Sequence, residues 1–335
     1  MSVRILKPGL LTTIQDRGRF GAQKYGIIVS GPMDSYALRI ANLLVGNDEA
    51  AAGLEMTIVG PEIEFEAPAL LSVCGGDLSP SLNGNPVPLW RTIFAPEGSR
   101  LEFGELKKGC RAYLAVAGGF DVPVEMSSRS TYLRAGIGGW EGRPLQQGDR
   151  IPVGELPPRS LSLLRKLRRG AGKEDTAVSP WSLSADLLPA YAPDPVIRVI
   201  DGAERELFDE ESVSRFFSET YRVLPQSDRM GYRISGGKLK LKEQAELISS
   251  PVTFGTIQVP ADGDPIVLMA DRQTTGGYPR IAQVISADLP LLAQVNLGGK
   301  VRFRSVSLKE AQQHAVIGER KVRTLRHGLV LQSVN

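Results

Sequence analysis

Short apolar runs, each cut off by glycine, proline, asparagine or aspartate, constrain this chain more than any other feature. Between Leu54 and Val153 the runs EIEFEA, LLSVCG, VPLWRTI, RLEFG and RAYLAVAG are four to eight residues long. A helix needs an apolar stripe recurring every three to four residues over a longer stretch. Runs this short, with turn residues between them, read as the strands of a sandwich or barrel. Composition agrees, since 36 glycines and 23 prolines, 59 of 335 residues, make about 18% of the chain against a usual ~12%. Asn83-Gly84-Asn85-Pro86 is a hairpin signal, because asparagine and glycine tolerate the positive φ that tight turns require. At roughly 150 residues per domain the length suggests two domains, and the 42% hydrophobic and 23% charged content belongs to a folded globular chain.

The expected organisation is a β-barrel-like domain over residues 1–155, a linker or inserted segment over 156–195, a second β-barrel-like domain over 196–305, and a C-terminal helix and tail over 306–335. The first helix lies in SYALRIANLLV, where Ala37, Leu38, Ala41, Leu44 and Val45 recur at helical spacing, Asp34 or Ser35 can cap the start and Gly46 supplies the stop. Prolines bracket the 156–195 stretch, and its Arg165, Lys166, Arg168 and Arg169 read as a solvated face. Helical turns follow over ERELFDEESVSRFFSETY and a short patch at DLPLLAQ. A capping box, Ser307-x-x-Glu310, opens a late helix, LKEAQQHAV. LQQGDRIPVG and VNLGGKVRFRS echo each other weakly, each a glycine turn leading into a strand.

Several function classes are disfavoured. Forty basic against 37 acidic residues is no electrostatic footprint for nucleic acid. Cys74 and Cys110 lie far apart and only His314 and His327 are available, so a cysteine/histidine metal site is not expected, nor a nucleophile activated by histidine. Neither Gly237-Lys238 nor Gly299-Lys300 continues into a P-loop, and GIGGWEG at 136–142 has glutamate where a dinucleotide fingerprint needs its third glycine. The N-terminus has no apolar signal region, and no uncharged run is long enough to span a membrane, so a cytoplasmic protein with reduced thiols is expected.

Four polar clusters beside glycines or small residues stand out. They are Gln15-Asp16-Arg17-Gly18-Arg19, Ser128-Arg129-Ser130-Thr131-Tyr132, Gln226-Ser227-Asp228-Arg229-Met230-Gly231, and Asp271-Arg272-Gln273-Thr274-Thr275-Gly276-Gly277-Tyr278. Guanidinium groups clamp carboxylates with paired hydrogen bonds, and glycines let backbone N–H groups approach a ligand. That combination suits a small anionic or amide substrate. Gln273, Thr274 and Thr275 could orient a carbonyl, and Asp271 or Asp228 could take a proton. The competing reading makes each Asp-Arg pair an internal ion pair that pins a loop. Ser30-Gly31-Pro32-Met33-Asp34 reads more simply as the lead into the first helix.

The blocks GLLTTIQDRGRFG, VSGPMDSYALRIANLLVGND, SRSTYLRAGIGGWEGRPLQQGD, SDRMGYR, GTIQVPADGDPIVLMADRQTTGGYP and VISADLP, in this order between Val3 and Phe303, resemble the biotin-dependent carboxyltransferase family, also called allophanate hydrolase subunit 2. Within that family they resemble KipI antagonists of the KipA type and the C subunit of bacterial 5-oxoprolinase. The resemblance implies a mainly β fold with a few helices, in two cyclophilin-like β-barrel domains. It also implies two partners, a KipI-like and a LamB/YcsF-like chain (the B and A subunits), a homo-oligomer of heterodimers, and ATP-dependent opening of the 5-oxoproline lactam to glutamate. ATP would be used by the complex, on a chain the sequence does not identify. No AMKM-type biotin-acceptor context occurs, so no bound biotin is expected. In this setting Arg272 or Arg229 would clamp the substrate carboxylate, backbone N–H groups near Gly276 and Gly277 would stabilise carbonyl charge, and Asp271 or Asp228 would direct water or a proton. Gln15, Asp16, Arg17, Arg129, Ser130 and Thr131 complete the candidate substrate-binding set. Two alternatives stay open: a regulator that captures a KipI-like kinase inhibitor, and a carboxyltransferase acting on urea or a similar amide.

Overall fold

A computed structural model describes residues 1–170, 175–243 and 247–334. The chain divides into two units. Unit 1 holds residues 1–20, 34–189 and 321–335, and unit 2 holds 21–33 and 190–320.

In unit 1 the strands β1 (Ser2–Lys7), β2 (Leu11–Gln15), β3 (Gly53–Thr57), β4 (Glu62–Phe65), β5 (Ala69–Asp77), β6 (Pro80–Leu82), β7 (Asn85–Pro86), β8 (Ile93–Ala95), β9 (Arg100–Phe103), β10 (Lys108–Val116), β11 (Arg150–Pro152) and β12 (Ala177–Val178) form two six-stranded sheets. One runs β11-β1-β4-β9-β6-β7 and the other β12-β8-β5-β10-β3-β2. Side chains alternate across a strand, so β5 sends Leu71 and Val73 into the core shared with Ile5, Ile63 and Phe65, while Leu70 and Cys74 face the opposite way. That second face is covered by α1 (Ser35–Val45), which buries Ala37, Leu38, Ala41 and Leu44. Burial on both faces is why ALLSVCGG reads as a nearly continuous run of apolar and small residues rather than an alternating one. At the helix ends, Asp34 accepts a hydrogen bond from the Ala37 N–H at 2.9 Å, and Gly46 adopts φ 86°. The hairpin at Asn83-Gly84 forms with φ 53° and 77°, joining β6 to β7.

Residues 156–189 group with unit 1 and carry regular structure of their own. α2 (Pro158–Gly170) places Leu163, Leu164 and Leu167 against the α1 layer, and Ser160 Oγ donates to the Val45 carbonyl at 2.7 Å. Arg165, Lys166, Arg168 and Arg169 are exposed, apart from the apolar face of the helix, as amphipathic spacing demands. Residues 171–174 of that segment lie outside the described residues. The late helix also outruns its sequence signal. Opened by the Ser307/Glu310 capping box, α5 (Leu308–Val334) continues past its polar first turns, and Val322, Leu325 and Leu329 join the α1 layer of unit 1.

In unit 2 the strands β13 (Val196–Asp201), β14 (Tyr221–Val223), β15 (Gly231–Ser235), β17 (Thr256–Gln258), β18 (Ile266–Leu268), β20 (Arg280–Val284) and β21 (Lys300–Ser305) close into a barrel in the order β13-β20-β17-β18-β15-β14-β21; β16 (Ser250–Pro251) pairs separately with β19 (Thr275–Gly276). Ile197, Val199, Tyr232, Ile234, Ile257, Val267, Val301 and Phe303 fill the interior, with α3 (Glu210–Ser218) contributing Phe216 stacked on Phe303 at 4.7 Å between ring centroids. α4 (Leu289–Ala293) follows β20. Closing the sheet on itself removes the free edges that short strands would otherwise expose.

Candidate functional site

The four polar clusters fold into two constellations, one in each unit. In unit 1 the first and second clusters meet around Asp16. Its carboxylate accepts from the Gly18 N–H at 2.9 Å, Ser128 Oγ at 2.6 Å, the Arg129 N–H at 2.6 Å and Ser130 Oγ at 2.7 Å. Gln15 is fully buried, donating to Thr13 Oγ1 at 3.1 Å and the Thr131 carbonyl at 3.3 Å, and its Oε1 has no partner among the described residues. Thr131 Oγ1 returns to the Ile14 carbonyl at 2.9 Å. Arg129 is spent on the Val122 carbonyl at 2.9 Å and on Asp121 at 3.2 Å, and Arg17 lies 4.0 Å from Glu49. Arg19, fully buried, donates to the carbonyls of Glu125 and Ser130 at 3.1 and 2.7 Å. These bonds tie β2 to the loop 120–140, so in unit 1 the internal-network reading describes the geometry.

In unit 2 the third and fourth clusters meet because the β15–β18 ladder continues past its strand ends. Gly231 pairs with Leu268, the Met269 N–H donates to the Met230 carbonyl at 2.9 Å, and the Asp271 N–H to the Arg229 carbonyl at 2.7 Å. That register brings two buried ionic side chains together. Arg229 Nε and Nη2 donate to the two oxygens of Asp271 at 2.9 and 3.0 Å, and Nη2 also reaches the Gly31 carbonyl at 2.6 Å. Ser30 Oγ adds a 2.7 Å bond to Asp271. Ser30 holds a left-handed φ of 56° beside Gly31 at 89°, a backbone bend that aims both groups at the pair. The Ser30-Gly31 stretch is therefore more than the lead into a helix. Its small residues, which need no side-chain room in a tight bend, were the available sequence signal.

The other candidates divide between spent and available groups. Asp228 caps its own turn, accepting from the Met230 and Gly231 N–H groups at 2.7 and 3.3 Å. Ser227 closes the same turn, accepting from the Arg233 N–H at 3.1 Å and donating to the Arg233 carbonyl at 3.2 Å. Thr275 and Gly276 form β19, the Thr274 carbonyl accepts from Val252 at 3.1 Å, and Gln258 Nε2 donates to the Tyr278 carbonyl at 3.2 Å. Gly276 lies so close to Gln258 that a Cβ there would overlap its amide. Gln273 is half-buried, while Thr275, Gly277 and Tyr278 are exposed.

Arg272 differs from all of these. Its Nη1 reaches the Met269 carbonyl at 3.4 Å, its guanidinium lies 5.9 Å from the Phe254 ring centroid, and its buried Nε has no partner among the described residues. Burial pushes its pKa down to about 10, with Asp271 opposing the shift. Arg272 therefore keeps donor capacity for a ligand oxygen. Asp271, by contrast, spends its oxygens on Arg229 and Ser30, which makes it a positioning group in this geometry. No group of three or more histidine, cysteine or acidic residues suited to a metal occurs among the described residues. Nor is any of their helices long and apolar enough to cross a membrane.

Residues 25–305 match the carboxyltransferase domain, subdomain A and B. The chain is 41% identical to the 5-oxoprolinase C subunit of Escherichia coli (strain K12), over 92% of this chain and 93% of that protein. It is 40% identical to the protein of the same name from Haemophilus influenzae, over 89% of each. Among solved structures, the urea amidolyase of K. lactis superposes with a TM-score of 0.86 at 30% identity; the match covers 97% of this chain and 20% of that much longer one. Both the sequence match and the structural likeness run across the two units, and on them the chain belongs to the carboxyltransferase domain, subdomain A and B, family.

Proposed function

We propose that this chain is the C subunit of an ATP-dependent 5-oxoprolinase. In the cytoplasm it would work with a KipI-like and a LamB/YcsF-like partner to open the lactam of 5-oxoproline to glutamate. The observation that carries this reading is the 41% identity along nearly the whole length of a 5-oxoprolinase C subunit. A lactam resists hydrolysis because amide resonance stabilises it, and coupling to ATP through the carbonyl oxygen would activate the carbonyl carbon for attack by water. On this chain Arg272 would clamp the substrate carboxylate, since a guanidinium donor left unpaired and partly desolvated binds an anion more strongly than one in water. The Arg229–Asp271 pair, fastened to Ser30 and Gly31, would hold the 269–272 turn that presents Arg272. Thr274 and Thr275 would offer hydroxyl groups to the ring amide, with no bound biotin required.

The test is reconstitution. The three purified chains are mixed with 5-oxoproline and ATP, glutamate is measured, and each chain is omitted in turn. Glutamate that requires this chain supports the reading. A complex that assembles with no turnover under any combination would overturn it and favour the KipI-antagonist role. The likeness to urea amidolyase favours a second reading, transfer of a carboxyl group to an amide. That reading requires a carboxybiotin donor, so product formation from 5-oxoproline in its absence excludes it.

A further inference from the structure

Outside both constellations, the outer face of the unit 2 barrel gathers cations in excess of acids. Along β21, Val301 and Phe303 point inward, leaving Lys300, Arg302 and Arg304 exposed; on β14, Tyr221 and Val223 are buried and Arg222 is exposed. The register sets Arg222 directly opposite Lys300. Like charges opposed across an antiparallel pair are destabilising, and here a third cation, Arg302, stands two residues further along. None of the three makes an ion pair among the described residues; Arg222 Nη1 meets the Gly298 carbonyl at 3.4 Å. With Thr220, Ser235 and Asp194 they line a cavity of about 420 Å³, within the ~300–1,000 Å³ range of small-molecule sites.

We propose that this cavity binds a short phosphate chain, a diphosphate or triphosphate, free or carried on a nucleotide. Strand geometry sets Arg222 and Lys300 roughly 5 Å apart at the backbone and Lys300 and Arg302 roughly 7 Å apart. Three cations spread over that span match the successive charges of linked phosphoryl groups better than the single centre of one phosphate. Thr220 and Ser235 add hydroxyl donors, and Asp194 supplies the one opposing charge of the lining. The lining holds no aromatic side chain to stack a base, so recognition would fall on the phosphates. The site shares no residue with the Arg272 cluster and stands independently of the reaction proposed above.

The full chain without partners is titrated calorimetrically, at fixed ionic strength, with tripolyphosphate, ATP and orthophosphate, beside the variant Arg222→Gln/Lys300→Gln. Both side chains are exposed, so the variant should fold; its thermal midpoint without ligand checks this, and the single variant Arg302→Gln serves if it does not. Tripolyphosphate and ATP should bind the wild type more tightly than orthophosphate and lose at least about tenfold in affinity in the variant. Equal affinities for ATP and tripolyphosphate would show that the phosphate chain alone is read, and tighter ATP binding with the same loss would add the nucleoside to the ligand. Binding that the variant leaves unchanged, or no binding of either polyphosphate at millimolar concentration, would overturn the proposal.

Discussion

Replacing Asp271 by alanine would leave the Arg229 guanidinium buried without the two hydrogen bonds that neutralise it. The side chains of Arg229 and Asp271 are only 6% and 7% exposed, so water cannot replace the lost carboxylate without opening the turn. Removing one partner of a buried pair costs about 3–5 kcal/mol, because the remaining charge stays desolvated. The Ser30 hydroxyl loses its acceptor too. At ~2–4 °C per kcal/mol for a domain of this size, the calorimetric transition should fall on the order of 10 °C. A double variant, Arg229→Met/Asp271→Leu, removes both charges and keeps apolar volume, and should regain at least ~2 kcal/mol of the loss. Differential scanning calorimetry and guanidinium unfolding of the isolated chain measure both. An Asp271→Ala protein within about 1 kcal/mol of wild type, or a double variant whose loss is the sum of the singles, would refute the view that the pair is a buried structural clamp.

Arg272→Ala should act in the opposite sense: stability unchanged or raised, since an under-paired buried cation is removed, but kcat/KM of the reconstituted complex for 5-oxoproline lowered by at least about tenfold; kinetics within about threefold of wild type would dismiss the clamp role. The Glu204 carboxylate accepts from the Arg280 backbone N–H at 3.1 Å and Nε at 2.6 Å, and these bonds hold its pKa below the ordinary carboxylate value. A carboxylate with a depressed folded pKa stabilises fully above its unfolded value, ~4.3, and loses that contribution as pH falls through the folded value. Glu204→Gln should therefore cost about 1.5–3 kcal/mol at pH 7 and progressively less below pH ~4, read from urea midpoints across that range. Gly138 sits at φ 69°, where an added Cβ would overlap the Ser130 carbonyl that Arg19 binds. Gly138→Ala should cost about 1–3 kcal/mol, and an unchanged unfolding midpoint would show that the loop yields.

Much of the local structure could be read directly from residues. Helix α1 and its caps, the Asn83-Gly84 hairpin and the Ser307 capping box each depend on neighbours a few positions apart, where propensity and capping act directly. The extent of α5 could not be read, because past its polar turns the helix persists through burial of Val322, Leu325 and Leu329 against residues far away in sequence. The stretch expected as a linker joined unit 1 for the same reason, its leucines covering a layer that no local signal reveals. Residues 21–33 likewise grouped with the second unit, where Met33 is fully buried in the barrel core.

For the site, sequence alone determined that arginine, aspartate and hydroxyl groups gather in four clusters beside glycines, and the ordered blocks pointed to the family. Only the tertiary structure decided which clusters meet and which charges remain available. Asp271 and Arg272 are adjacent in sequence and look equally reactive there. A β-ladder register, which no local pattern encodes, places Arg229 and Ser30 against Asp271 and consumes it, while the Arg272 side chain is left half-buried with a donor to spare. Hydrogen-bond capacity is a property of the three-dimensional neighbourhood, and side chains of equal chemistry become clamp or ligand group according to what the fold sets within about 3 Å of them.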